Sequence, residues 1–302
     1  METFQLPSGR SISFEFTYKS EPGRPTILLS NSLASQFHFW DDVVAKLHES
    51  GFRIIRYDHP GHGQSGVPSD LGSTTFNSLA EDVHALLNSA AVKPSLVGSG
   101  APSPTAPLLH GWIGDSMGAA LGIVFSSAHP GLVRNLVVCD TIACSPANAG
   151  VSPDPFAARV EAVRSAGSMD AAVEETMGRW FGGDWIAANA GEAGRVRGLM
   201  RTTTPDGFET CVAALRSETF DLRPLLPKMA GCVESVLFVV GAKDADLPEK
   251  MEGMRAEVQK GFDAEGKRFK VELRVIPNAG HVPFIDGYDD FIKTVLPFLK
   301  QK

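Results

Sequence analysis

Three absences narrow what this chain can be. It has only four cysteines in 302 residues. Cys139, Cys144, Cys211 and Cys232 show no paired spacing, which argues against a disulfide framework or a cysteine zinc site. Three of them sit among apolar neighbours, as buried free thiols do. Basic charge is scarce as well. With 28 Lys and Arg against 35 Asp and Glu, the net charge is −7, and no basic run offers a footprint for nucleic acid. Long apolar runs are missing, so no membrane span is expected. The opening METFQLPSGRSISFEF lacks a charged segment followed by an apolar one, so no signal peptide is expected. These readings predict a cytoplasmic protein whose partners include neither nucleic acid nor membrane. No internal repeat is present. A hydrophobic content of 43% is ordinary for a globular chain long enough to bury a sizeable core.

What is present is organised around LLHGWIGDSMGAALG, Leu108 to Gly122. An apolar run stops at Gly114-Asp115-Ser116-Met117-Gly118, and a small, apolar, helix-like run follows. Gly-x-Ser-x-Gly between a strand and a helix is the nucleophile elbow. The reason is steric. The turn is so tight that the serine is strained, and side chains two residues away on either side would collide, so glycine is needed at Gly114 and Gly118. The serine hydroxyl then stands above the sheet edge. The Met117 N–H and the helix N-terminus face any oxyanion formed beside it.

The rest of the chain supplies strands and helices in alternation. Ser11 to Tyr18 alternates apolar and polar residues and predicts an antiparallel edge strand. Continuous apolar runs predict buried strands at Pro25 to Ser30, Phe52 to Asp58 and Arg134 to Asp140. Helical spacing appears at Phe39 to Leu47 and Phe76 to Asn88. The order predicts a parallel sheet with crossover helices. Lys93 to Pro107, rich in Pro, Ser, Gly and Ala, predicts a loop. From about Ser145 the pattern changes to helices without strands, at Phe156 to Ser165, Met169 to Phe181 and Asp206 to Ser217. Strands return at Ser235 to Val240 and Lys270 to Ile276, flanking a helix at Glu249 to Phe262. An amphipathic helix at Tyr288 to Leu299 closes the chain.

A serine needs a general base, and histidine suits. The chain order in elbow proteins is Ser, then Asp or Glu, then His. Only His129 and His281 follow Ser116. His129 ends the helix after the elbow and reads as a helix cap. His281, in PNAGH directly after the last strand, lies where open α/β sheets carry their sites. His59 and His62 lack a third ligand nearby, so metal is not expected there. His84 reads as a surface or packing residue. For the acid, Asp140, Asp244 and Asp246 all satisfy the order. The oxyanion needs two donors: Met117 N–H, and Leu33 N–H from the loop after PTILLS.

The loop Asn31 to Leu33 followed by Trp40, then RYDHPGHGQSG, GDSMG, GAKD and NAGH, together resemble the α/β-hydrolase fold family in family order. The resemblance implies an α/β-hydrolase core at 1–144 and 231–302, with a helical cap at 145–230. It favours Asp244 over Asp140 as the acid and implies no cofactor and no metal. Within the family, LLSNSLASQFHFWDDV, Arg179-Trp180-Phe181 and CVAALRSETFDLRPLL resemble the 3-oxoadipate enol-lactonases. That likeness assigns Ser32, Arg179 and Trp180 to substrate binding, with Arg179 pairing a substrate carboxylate. It implies a serine hydrolase that opens a lactone or cleaves a carboxylic ester, working on a small molecule as a monomer or homodimer.

Three features depart from the enol-lactonase pattern: the length of the Pro/Ser segment, Met117 in place of leucine, and a longer Lys260 to Lys267. Ser-Met-Gly also occurs in serine hydrolases that cleave carbon–carbon bonds of ring-fission products. Larger, macrocyclic lactones are a further substrate class, and a slow-turnover receptor on the same fold is a further kind of function. A serine in the elbow argues against epoxide hydrolase and dehalogenase chemistry, where the elbow carries aspartate.

Overall fold

A computed structural model describes residues 1–21, 23–97 and 107–301. Its first strands are β1 (Glu2–Gln5), β2 (Ser11–Thr17) and β3 (Thr26–Ser30). Then come α1 (Asp41–Glu49), β4 (Arg53–Tyr57), α2 (Phe76–Leu87) and a short α3 (Lys93–Val97). The elbow region forms β5 (Leu109–Asp115) and α4 (Met117–Ala128), followed by β6 (Val133–Cys139). Four helices intervene: α5 (Pro155–Ala166), α6 (Asp170–Ala188), α7 (Ala190–Met200) and α8 (Pro205–Arg216). The chain ends with β7 (Ser235–Gly241), α9 (Leu247–Ala264), β8 (Glu272–Ile276), α10 (Pro283–Asp286) and α11 (Tyr288–Leu299).

The strands form one eight-stranded sheet in the order β1-β2-β4-β3-β5-β6-β7-β8. β1, β2 and β4 pair antiparallel, and every pair from β4 to β8 is parallel. Alternation along each strand feeds two cores. Leu28, Trp112, Leu136 and Phe238 pack with Leu121 and Phe125 of α4 and Val258 of α9. Ile27, Leu29, Ile113, Val137 and Val239 pack on the other face, with Val43 and Leu47 of α1 and Phe291 and Val295 of α11. Central strands buried on both faces therefore read as continuous apolar runs.

The structure revises the expected elements in four places. Ser11–Thr17 is not the sheet edge, because β1 covers it; β1 was too short and too exposed to announce itself. The Pro/Ser segment begins as the short helix α3, and its residues 98–106 lie outside the described part. The helix at 169–181 continues past a break at Gly182, whose φ of 75° no helix holds. α7 was not expected at all. Its glycines Gly191, Gly194 and Gly198 lower helix propensity, and tertiary burial of Ala193, Val196 and Met200 outweighs them.

The helices α5 to α8 follow β6 and end before β7, so they sit over the strands' carboxyl edge. Local chemistry fixes their starts. Asp154 and Thr204 accept from the N–H groups of Phe156 and Gly207, with proline in the first turn of each helix. α8 is anchored to the loop after β4. Thr204 N–H donates to Gly61 at 3.0 Å, Thr74 and Thr210 hydroxyls meet at 2.7 Å, and a Cβ on Gly207 would collide with Gly61.

Candidate active site

Ser116 is where β5 gives way to α4. Its φ of 51° is forbidden ground for most L-residues. The turn is held by Ser116 N–H donating to Cys139 O at 2.8 Å and by Ala120 N–H donating back to Ser116 O at 3.0 Å. A Cβ on Gly114 would collide with the Gly118 carbonyl, and one on Gly118 with the Ser30 carbonyl. Both glycines are therefore required by close approach of backbone. Met117 is the first residue of α4, so its N–H has no acceptor within the helix.

The second N–H loop is braced from below by side chains. Asn31 donates to Tyr57 O at 2.8 Å and accepts from the Trp40 indole at 2.8 Å. His59 Nε2 donates to Asn31 O at 2.8 Å. His62 accepts from Ala34 N–H at 2.9 Å through Nε2 and donates to Pro60 O at 2.9 Å through Nδ1. Burial lowers both imidazoles, to about 4 for His59 and about 3 for His62. The bond that His62 accepts through Nε2 needs a neutral ring, and both histidines brace the loop.

The candidate base arrives from the other side of the sheet centre. His281 follows β8, and Asp244 follows β7. The two loops are stitched by Lys243 N–H to Ala279 O at 2.8 Å and by Ala242 N–H to Ile276 O at 3.0 Å. His281 Nδ1 then lies 2.5 Å from Asp244 Oδ2, with both residues buried. Burial works against the Asp244 charge, but the bond from His281 outweighs it and the carboxyl is held below its usual range. Asp246 is exposed and pairs instead with Lys250 at 2.7 Å. His129 caps the C-terminus of α4 and stacks on His84 with ring centroids 4.0 Å apart.

Ser116, Met117, Leu33, Asp244 and His281 share the wall of one cavity of about 290 Å³. Trp180, Arg179 and Arg159 close it from above. Trp180 is tied to His281. Its carbonyl accepts from His281 N–H at 3.2 Å, its ring lies 5.3 Å from the imidazole, and a side chain on Gly280 would strike the Trp180 carbonyl. Its indole Nε1 is buried without an acceptor among the described residues.

Arg179 sits where the protein is dense, yet its surface is exposed to the cavity. Desolvation, with Arg159 nearby, lowers its guanidinium to about 10, so it remains cationic at neutral pH. Among the described residues no carboxylate pairs with Arg179, whereas Arg159 pairs with Glu175 at 3.2 Å. Ser32 is the exception to the expected site. It does not line the cavity, because its buried hydroxyl is committed to the carboxyl of Asp115.

Two groups of three side chains among the described residues place donor atoms close enough for a metal: Asp140, Asp244 and His281, and on the surface Glu81, His84 and His129. A larger groove of about 450 Å³ runs beside β8, lined by Phe269, Lys270 and Phe298 among others, with no serine, cysteine or histidine. The four cysteines are free thiols, with Cys139, Cys211 and Cys232 buried. No helix of the described residues is long and apolar enough to cross a membrane.

A strained serine, an imidazole bonded to a carboxylate and the Met117 and Leu33 backbone thus line one cavity, and these are the residue types that acyl transfer uses. The chain matches the alpha/beta hydrolase family over residues 27–294. It belongs to that family. This alpha/beta hydrolase is 25% identical to 3-oxoadipate enol-lactonase 2 of Acinetobacter baylyi over 237 residues, 78% of each chain. It is 29% identical to 3-oxoadipate enol-lactonase 1 of the same organism, over 73% of this chain and 71% of that one. Its fold is similar to the crystal structure of the enol-lactonase from Burkholderia xenovorans, with a TM-score of 0.79 at 24% identity, covering 99% and 100% of the two chains.

Proposed function

We propose that this hydrolase opens a small lactone, or cleaves a carboxylic ester, that carries a carboxylate, through an acyl-enzyme on Ser116. The observation that carries the reading is the cavity itself. It brings Ser116 and the His281–Asp244 pair together with Arg179, a cation that pairs with no carboxylate among the described residues. A guanidinium that lines the cavity and is free of carboxylate partners there is suited to bind a carboxylate bidentately.

In this mechanism His281 Nε2 takes the Ser116 proton, because Nδ1 is occupied by Asp244. Ser116 Oγ attacks the carbonyl carbon. The N–H groups of Met117 and Leu33 stabilise the oxyanion. His281 then protonates the leaving alkoxide or enolate. Water activated by the same imidazole releases the acid and restores Ser116. Asp244 holds the ring and balances the imidazolium that forms at each step. No step needs a cofactor. The helices α5 to α8 act as a cap, core and cap dividing near 145 and 230, and Trp180 joins the two by its bond to His281.

The similarity to two enol-lactonases supports 3-oxoadipate enol-lactone as the first substrate to try. The test is its hydrolysis by wild type and Ser116→Ala, beside a neutral aryl ester, a larger lactone and a ring-fission diketone. Fast lactone opening that disappears in Ser116→Ala is the expected result. Turnover of the ester alone would discard the proposed substrate, and undiminished turnover by Ser116→Ala would discard the mechanism.

A further inference from the structure

Three carboxyl groups besides Asp244 lie under the candidate base, and they come from different elements: Asp115 at the end of β5, Asp140 just after β6, and Asp286 in α10. Asp140 is the nearest to the pair. A carboxylate oxygen of Asp140, one of Asp244 and a ring nitrogen of His281 all lie within 4.8 Å of one another. Asp140 is fully buried and is held at a φ of 43°, a conformation few non-glycine residues adopt. Its Oδ1 accepts from Gly241 N–H at 2.9 Å. Its Oδ2 is buried with no partner among the described residues.

Two ionised carboxylates at this separation, shielded from water, cannot both persist; one keeps a proton. The surroundings decide which. Asp244 has the His281 Nδ1–H at 2.5 Å and the Arg179 charge nearby. Asp140 has a single backbone N–H, it faces Asp115 from β5 and Asp244 from β7, and no Lys or Arg among the described residues pairs with it.

We infer that Asp140 is an uncharged carboxylic acid whose O–H donates to Asp244, leaving Asp244 as the anion beside His281. Asp140 is then a positioning residue. It occupies a lone pair of Asp244, fixes the carboxylate, and keeps the charge facing the imidazole single. The chemistry of neighbouring groups agrees. Burial pushes Asp140 well above the usual carboxylate range, with Asp115 and Asp244 adding to it. Burial also raises Asp115 far up, and Asp286 to about 7. The catalytic importance of this proton rests on the function proposed above; its existence does not.

The test uses the full chain and two readouts. The first is the infrared difference spectrum at neutral pH between wild type and Asp140→Asn. A carbonyl-stretch band of a protonated carboxyl, present only in wild type, is expected. Ionised carboxylate bands in that difference would overturn the inference. Asp140→Ser, also neutral, serves as the difference partner if the Asn variant misfolds. The second readout is kcat and KM on a neutral aryl ester. Asparagine reproduces both bonds of the neutral acid, so Asp140→Asn retains most of kcat, whereas Asp244→Asn loses about 10²-fold or more. The reverse pattern would make Asp140 the working anion and overturn the assignment. The infrared arm needs no turnover. A protein inert toward every ester would sink the hydrolase reading and leave the proton where it is.

Discussion

Replacing Arg179 by methionine separates recognition from chemistry. Methionine keeps the unbranched stem and removes only the charged fork. A hydrogen bond to a charged group is worth about 1.5–3 kcal/mol. Arg179 is exposed to the cavity, so water competes for its guanidinium and the lower part of the range applies. At about 1.5–2 kcal/mol, the expected loss is about 10- to 30-fold. It should fall on KM for a carboxylate-bearing lactone, with kcat changed little, because the carboxylate is bound alike in ground and transition states. A neutral aryl ester should lose nothing. Steady-state kinetics on both substrates give the answer. Arg179→Lys should recover only part of the loss, since an ammonium cannot form the bidentate pair. Equal losses on the charged and neutral substrates would refute the reasoning and make Arg179 a structural residue. Unchanged KM for the anion would place the carboxylate elsewhere.

Other expectations follow from particular contacts. Gly118→Ala would drive a Cβ into the Ser30 carbonyl, so it should cost more than about 2 kcal/mol by denaturant titration and remove activity; a stable, active variant would contradict the elbow geometry. Gly194 is exposed on α7 with nothing within 4 Å of its would-be Cβ, so Gly194→Ala should stabilise by about 0.5–1 kcal/mol. Asp286 is raised to about 7 by burial, despite the Gly280 N–H it accepts. Its native pKa exceeds the unfolded one, so the native state holds the extra proton and this contribution is lost as pH rises from about 4 through 7. Asp286→Asn should accordingly match wild type at pH ~4 or below and exceed its melting temperature increasingly up to pH ~8, and a wild-type advantage at the higher pH would show the charge to be stabilising.

Much of this was legible in the sequence where the physics is local. The elbow could be read because backbone contacts at Gly114 and Gly118 dictate two glycines at fixed spacing. His281 could be read because two histidines follow Ser116 and one of them ends a helix. Residues whose partners are distant in sequence could not be read this way. Ser32 lies in the right loop, but its hydroxyl turns under the sheet to Asp115, a pairing that no spacing announces. Asp115, Asp140 and Asp286 stand on three elements, and only the strand order brings them beneath His281. The bond from His281 to Trp180 is backbone to backbone and leaves no side-chain signature. α7 was hidden by its glycines, although Ala193, Val196 and Met200 carry the apolar spacing that exposes it.

The central claim is that Ser116 is a nucleophile driven by His281. Intact-mass analysis after a brief exposure to a fluorophosphonate ester, followed by peptide mapping, tests it most directly. The account predicts one stoichiometric adduct on the peptide carrying Ser116, none in Ser116→Ala, and much slower labelling in His281→Ala. An unlabelled wild type, or an adduct on any other residue, would contradict it.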